Sequence, residues 1–132
     1  MLLVKTVRRT SSIHGIGLFA DQTIPKGTPT WRFTPGIDVA IHPDLIDRIP
    51  EAARTQFLTY AYLDIRTGLY VLCADDARFM NHSDDPAVLG DYDQEPVFGV
   101  DIAARDLQPG DELTCDYTTF DRVDRQRLHW SD

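Results

Sequence analysis

The chain is 132 residues long, enough for one domain with a core of its own, and its 21 acidic residues outnumber 13 basic ones for a net charge of −8. Such a balance repels phosphate and argues against direct nucleic-acid binding, while it suits a basic partner. No apolar run approaches the ~20 residues that span a bilayer, so no membrane contact is expected.

Leu2 to Val7 alternates weakly and predicts a first strand, and Gly17 to Ala20 predicts a second after a glycine-punctuated turn. Pro25-Lys26-Gly27 is a turn signal, and Thr28 to Phe33, rich in threonine and aromatic residues, predicts a third strand. The pattern changes over about 41–63. There Pro43, Pro50 and the run Glu51 to Leu58 predict one or two short helices, with Pro50 near a helix start. Tyr60 to Ile65 and Leu69 to Leu72 read as a hairpin around Arg66-Thr67-Gly68. Val97 to Ile102 predicts a further strand, and Pro109-Gly110 turns the chain into another from Glu112 to Tyr117. The tail, about 118–132, carries an amphipathic stretch from Asp121 to Leu128 that predicts a short helix. Short strands, close turns and one helical insert predict a single β-rich α+β domain over 1–132.

Cys73 and Cys115 form no C-x-x-C pair, so the spacing gives no metal site, and both thiols are expected to be reduced. Met1 to Val4 is too short for a signal peptide and Lys5 interrupts it; an intracellular location is expected.

Three segments concentrate constrained or polar residues. In His14-Gly15-Ile16-Gly17 the two glycines allow a ligand close to the backbone, although by itself the segment reads as an ordinary turn. Arg78 to Pro86 places Asn81, His82 and Ser83 in a row, a dense set of donors and acceptors that a buried loop would also need for its own backbone. Ala103 to Tyr117 reads as strand, turn and strand, and alone is a plain hairpin. No serine elbow or cysteine–histidine pairing supports a nucleophilic triad.

Taken together, the order and spacing of these segments resemble the SET domain of protein lysine methyltransferases. Gly15 to Ala20 resembles the family's G-x-G motif, Arg78 to Ser83 its R-F-x-N-H-S motif, and Asp106 to Tyr117 its closing D-x-x-P-G-(D/E)-E-L-T-x-D-Y motif. The resemblance runs from about Leu3 to Tyr117. It implies a β-clip-like fold of small sheets with a C-terminal pseudoknot, which brings Asn81-His82 beside Asp116-Tyr117.

It also implies S-adenosyl-L-methionine as cofactor. Gly15, Ile16 and Gly17 would lie along it, Asn81 would hold its amino group, His82 would meet the adenine through backbone, and Arg78 belongs to the same set. Tyr117 would be the catalytic residue at the junction of cofactor and substrate channels, with Asp116 holding backbone geometry. Tyr60, Tyr62, Cys115 and Phe120 would wall the substrate channel. Tyr60 and Tyr62 read equally well as residues of a packed strand face, and Trp130, a candidate cap, reads better as packing.

The implied substrate is a basic, histone-like protein or peptide; a non-catalytic protein-binding module is the alternative. Asp84 and Ala87 depart from the family's usual cysteine and asparagine, and the tail lacks its cysteine-rich zinc segment. Phe120 to Trp130, or the second subunit of a homodimer, would then have to close the channel.

Overall fold

Turn chemistry cuts this chain into short strands, and the computed structural model, which describes residues 1–122, arranges them in three small sheets. Strands β1 (Thr6–Thr10) and β2 (Ile16–Ala20) form an antiparallel hairpin with Thr6 opposite Ala20 and Thr10 opposite Ile16. Strand β3 (Pro29–Arg32) belongs to a second sheet, and β4 (Val39–Ile41) to a third. A 3₁₀ turn, Pro43–Arg48, and helix α1 (Glu51–Tyr60) follow, the helix starting directly after Pro50 as expected. Strands β5 (Tyr62–Leu63) and β6 (Tyr70–Leu72) pair around the Arg66-Thr67-Gly68 turn.

A 3₁₀ turn, Asp76–Phe79, leads into β7 (Asn81–His82). Then come β8 (Val88–Asp91), β9 (Val100–Ala103) and β10 (Glu112–Cys115). The sheet orders are β1-β2-β10-β7, β3-β9-β8 and β4-β6-β5. Gly110, at φ +94°, makes the turn into β10 in a backbone region that L side chains rarely adopt.

The fold class is the β-rich α+β expected, and the differences lie in element boundaries. The first strand is Thr6–Thr10, four residues later than expected at its start. Leu2 instead bridges to Trp31, and the Leu3 N–H donates to the Thr30 carbonyl at 2.8 Å, so the segment serves two sheets in succession. Tyr60 ends α1 rather than opening a strand. Strand β10 stops at Cys115, because Asp116 caps a 3₁₀ turn over Tyr117–Thr119 by accepting from the Thr118 N–H at 3.0 Å. Of the helix expected over 121–128, Asp121 is in a bridge with Asp64; the rest beyond Arg122, with Trp130, lies outside the described residues.

The main core gathers Leu18, Ile24, Val88, Leu107 and Leu113, all essentially inaccessible to solvent. Each such side chain contributes roughly 1.5–3 kcal/mol by leaving water. Within this core the Thr114 hydroxyl accepts from the buried Ala87 N–H at 3.0 Å, tying β10 to the start of β8. Thr114→Val keeps the shape and removes the acceptor, so it is expected to cost about 1–3 kcal/mol in urea unfolding. An unchanged unfolding midpoint would contradict that assignment.

Candidate active site

Strand β10 lies between β2 and β7 and pairs with them in opposite senses. It runs antiparallel to β2, with Leu113 opposite Leu18, and parallel to β7, with Thr114 beside Asn81 and Cys115 beside His82. This brings the three sequence segments together at one end of the sheet.

On one side of the junction stand Gly15, Ile16, Gly17 and Asn81. Gly15 has φ +43° and open space where a side chain would be, and Ile16 is 47% exposed. Gly17 is the tight point: a Cβ there would sit 3.0 Å from Ser11 Cβ and 3.1 Å from the Glu112 carboxylate. Glu112 accepts from Ser11 Oγ at 2.7 Å and from Asn81 Nδ2 at 3.3 Å, while the His14 carbonyl accepts from the same Nδ2 at 3.0 Å. Two acceptors on the amide nitrogen fix which way the Asn81 side chain points. Its oxygen is left without a hydrogen-bond donor among the described residues.

His82 is held differently. Its Nδ1 accepts from the Tyr117 N–H at 3.1 Å, so the ring proton sits on Nε2, which donates to Asp84 Oδ1 at 2.9 Å. Both ring nitrogens are engaged within the chain, leaving the backbone of His82 as its means of meeting a ligand. Tyr117 closes the arrangement: its hydroxyl donates to the Met80 carbonyl at 2.6 Å.

On the other side of Tyr117 opens a cleft. Tyr60, Tyr62, Arg78, Cys115, Tyr117 and Phe120 all line it, whereas Gly15, Ile16, Gly17, Asn81 and His82 do not. Its aromatic wall is continuous. The Tyr62 and Phe120 rings meet edge to face at 4.9 Å, and Phe120 and Tyr117 do so at 6.0 Å. Arg78 lies over the Tyr60 ring at 5.7 Å, and its Nε is buried without a hydrogen-bond partner among the described residues.

Enclosure shapes the ionisable groups here. Burial pushes the Tyr62 hydroxyl well above its ordinary range, reinforced by Cys73 and the nearby acids Asp101 and Asp64. It likewise pushes up the Cys73 thiol and brings the Asp101 carboxyl to about 7.

The SET domain family profile matches residues 15–118, a span that begins at the Gly15 turn and ends just past Tyr117. The chain belongs to the SET-domain family. Among curated protein sequences none matches the chain. Solved structures do. A humanised mutant of the Chaetomium thermophilum Polycomb Repressive Complex 2, bound to an inhibitor, matches with a TM-score of 0.61 and 22% identity over 90% of this chain. The match spans only 15% of that longer chain. A Plasmodium falciparum protein described as a candidate histone methyltransferase matches with a TM-score of 0.54 and 21% identity, over 88% of this chain and 95% of its own. At these identities the likeness is one of fold.

Within this SET domain the structure gathers Gly15, Ile16, Gly17, Asn81 and His82 on one side of Tyr117, and Tyr60, Tyr62, Arg78, Cys115 and Phe120 on the other. Asp116 caps the turn that carries Tyr117. Glu112 was not singled out by sequence, although it stands within the closing motif; its contacts with Ser11 and Asn81 are what reveal it. Trp31, Tyr92 and Asp101 also line the cleft and belong to no motif. Among the described residues no group of three His, Cys, Asp or Glu side chains is arranged to hold a metal ion.

The raised Cys73 thiol has a chemical consequence, since the thiolate is the reactive form. Cys73 is expected to resist iodoacetamide at pH 8 in the folded protein and to react once unfolded, as read by peptide mass spectrometry. Modification of the folded protein at the rate of a free thiol would contradict it.

Proposed function

We propose that this SET-domain chain is an S-adenosyl-L-methionine-dependent methyltransferase that modifies a lysine side-chain amine of a basic protein segment. The observation that carries the reading is the position of Tyr117. It lines the aromatic cleft, while its hydroxyl and backbone N–H are anchored to Met80 and His82, the two residues flanking Asn81.

The residues on the Asn81 side suit the cofactor. A free amide oxygen beside Glu112 offers acceptors for an amino group, and the Gly15–Gly17 backbone stands open to approach. When bound there, the cofactor supplies a methyl group on a sulfonium as the electrophile. The chain's own contribution is to prepare and aim the amine. A lysine ammonium has a pKa near ~10.4 and no lone pair, so it must lose a proton before it attacks. An aromatic channel disfavours the charged form and lowers that pKa. Orientation then supplies much of the acceleration, because correctly aligned reactants can gain ~7–11 kcal/mol. The Met80 carbonyl and the Tyr117 oxygen are suited to hold the reacting methyl through weak C–H···O contacts. The excess of 21 acidic over 13 basic residues favours a Lys- and Arg-rich substrate. Cys115, small beside the rings of the cleft, leaves room near the amine.

Calorimetric titration with S-adenosylhomocysteine tests the cofactor half. Submicromolar to micromolar binding is expected, with Asn81→Ala weaker by about tenfold, or ~1.4 kcal/mol. Absence of binding at millimolar ligand would remove the enzyme reading altogether. Transfer of labelled methyl to a histone mixture tests the other half. Tyr117→Phe is expected to lose at least tenfold in rate, ~1.4 kcal/mol in barrier, with cofactor affinity little changed. Cofactor binding without transfer to any basic protein would favour the protein-binding module instead.

A further inference from the structure

The imidazole of His82 is engaged inside the chain at both of its nitrogens. Nε2 donates to Asp84 Oδ1 at 2.9 Å, and Nδ1 accepts from the Tyr117 N–H at 3.1 Å. The His82 side chain is 15% exposed and that of Asp84 is 99% exposed, so the two bonds are unequal. The outer one sets which nitrogen carries the proton. The inner one joins β7 to the turn that carries Tyr117.

The charged and titratable groups that face this ring among the described residues are Asp84, Asp116, Cys115 and Tyr117. Asp84 comes from the loop after β7. Asp116, the cap of the Tyr117 turn, has Oδ1 3.8 Å from Nδ1. That oxygen is already engaged, accepting from the Thr118 N–H at 3.0 Å and from its hydroxyl at 2.6 Å. Cys115 of β10 stands beside His82 in the parallel register, and the Tyr117 ring lies 5.3 Å away.

One proton inverts the inner contact. A neutral imidazole has one donor and one acceptor, whereas an imidazolium has two donors. The second proton must go to Nδ1, because Nε2 already holds the first. Nδ1–H then faces the Tyr117 N–H, and an attraction becomes one donor set against another. The acceptor at hand is Asp116 Oδ1, and turning to it competes with the Thr118 bonds that cap the Tyr117 turn. Both attachments of the Tyr117 backbone therefore answer to the same proton. The bond from the Tyr117 hydroxyl to the Met80 carbonyl is untouched by it.

We propose that His82 is a positioning residue whose imidazole works as a proton-operated latch: neutral, it holds the Tyr117 backbone at the junction, and on protonation it lets go. The latch is closed at high pH and opens as pH falls. Its consequence for rate rests on the methyl-transfer reading; the latch itself does not.

NMR reads the latch without cofactor or substrate. An N–H···N hydrogen bond transmits a scalar coupling between its two nitrogens, so Tyr117 N and His82 Nδ1 report the bond itself. In wild type the coupling is expected at pH 8 and is expected to vanish toward pH 5, with the same midpoint as the His82 ring nitrogens. His82→Asn brings an amide oxygen near the place of Nδ1 and carries no titrating group. In that variant the Tyr117 N–H resonance is expected to stay constant over this range, like that of the Ala87 N–H bonded to Thr114. Where the variant does not fold, the wild-type coupling decides alone. No coupling at pH 8, a proton on Nδ1 rather than Nε2 at that pH, or a coupling that survives protonation of the ring would overturn the proposal.

Transfer of labelled methyl to a histone mixture at saturating cofactor gives a second readout. Loss of the neutral lysine amine lowers log kcat/KM by about one per pH unit on acidification, and the latch adds about one more below the His82 midpoint. A slope of about two in wild type and about one in His82→Asn is expected. Equal slopes would remove His82 from its positioning role. Absence of transfer would count against the methyl-transfer reading and leave the NMR result to decide the latch, so the two failures are distinguishable.

Discussion

A strand of two residues cannot hold itself extended, and Asn81-His82 is held only because β10 lies alongside it. Thr114 and Cys115 take the parallel positions, and the Ser83 N–H adds a bond to the Cys115 carbonyl at 3.0 Å. Parallel neighbours cannot be joined by a tight turn, so the chain must travel through β8 and β9 before it returns. Closing so long a connection costs chain entropy. The return is stabilised by Leu113, fully buried against the core, and by the Thr114 bond to Ala87. Everything at the junction hangs from this pairing. Asn81 reaches Glu112, His82 reaches the Tyr117 backbone, and Met80 reaches the Tyr117 hydroxyl, each contact joining the two paired segments.

The same crossing explains why one tyrosine can face two compartments. Strand β10 ends at Cys115, and Asp116 turns the chain sharply by capping with its own carboxylate. Had the strand continued, the next side chains would have alternated across the sheet. The cap instead starts a 3₁₀ turn, so Tyr117 stays beside His82, its ring 5.3 Å away, and still borders the cleft. A backbone device, placed between a strand and a tail, sets the position of the hydroxyl.

How far the sequence could be read follows from the same physics. The motif segments were legible because their residue types are tied to turns, caps and crossings that few alternatives satisfy, and helix α1 was legible from Pro50 onward. Strand β8 was not: Val-Leu-Gly-Asp has a glycine where a strand pattern wants a branched side chain, and its order comes from pairing with β9. Strand β4 is three residues, Val39 to Ile41, set just ahead of the stretch whose prolines signalled helix, too short to show a pattern of its own. The start of β1 was displaced because its exposed edge residues, Arg8 to Thr10, carry no apolar alternation, while the apolar Leu2 and Leu3 serve the second sheet. In the site, Asp101 is one acid among 21 and nothing in its type or spacing separates it from solvating charge, while Glu112 stands in the closing motif but its partners, Ser11 and Asn81, are far from it in sequence. Only their neighbours do.

Those neighbours divide the enclosed polar groups into two kinds. Asp38 accepts on both oxygens from the Thr34 and Ala74 N–H groups, and Asp64 accepts on one oxygen from the Thr67 N–H and hydroxyl. Such groups stabilise the fold through the bonds that they make. The Trp31 indole and the Arg78 Nε are buried without a partner among the described residues, and the Asn81 amide oxygen has no donor among them. A buried polar group without a partner costs stability, which a bound ligand can offset. Two of these groups line the aromatic cleft and the third stands by Glu112, on opposite sides of Tyr117.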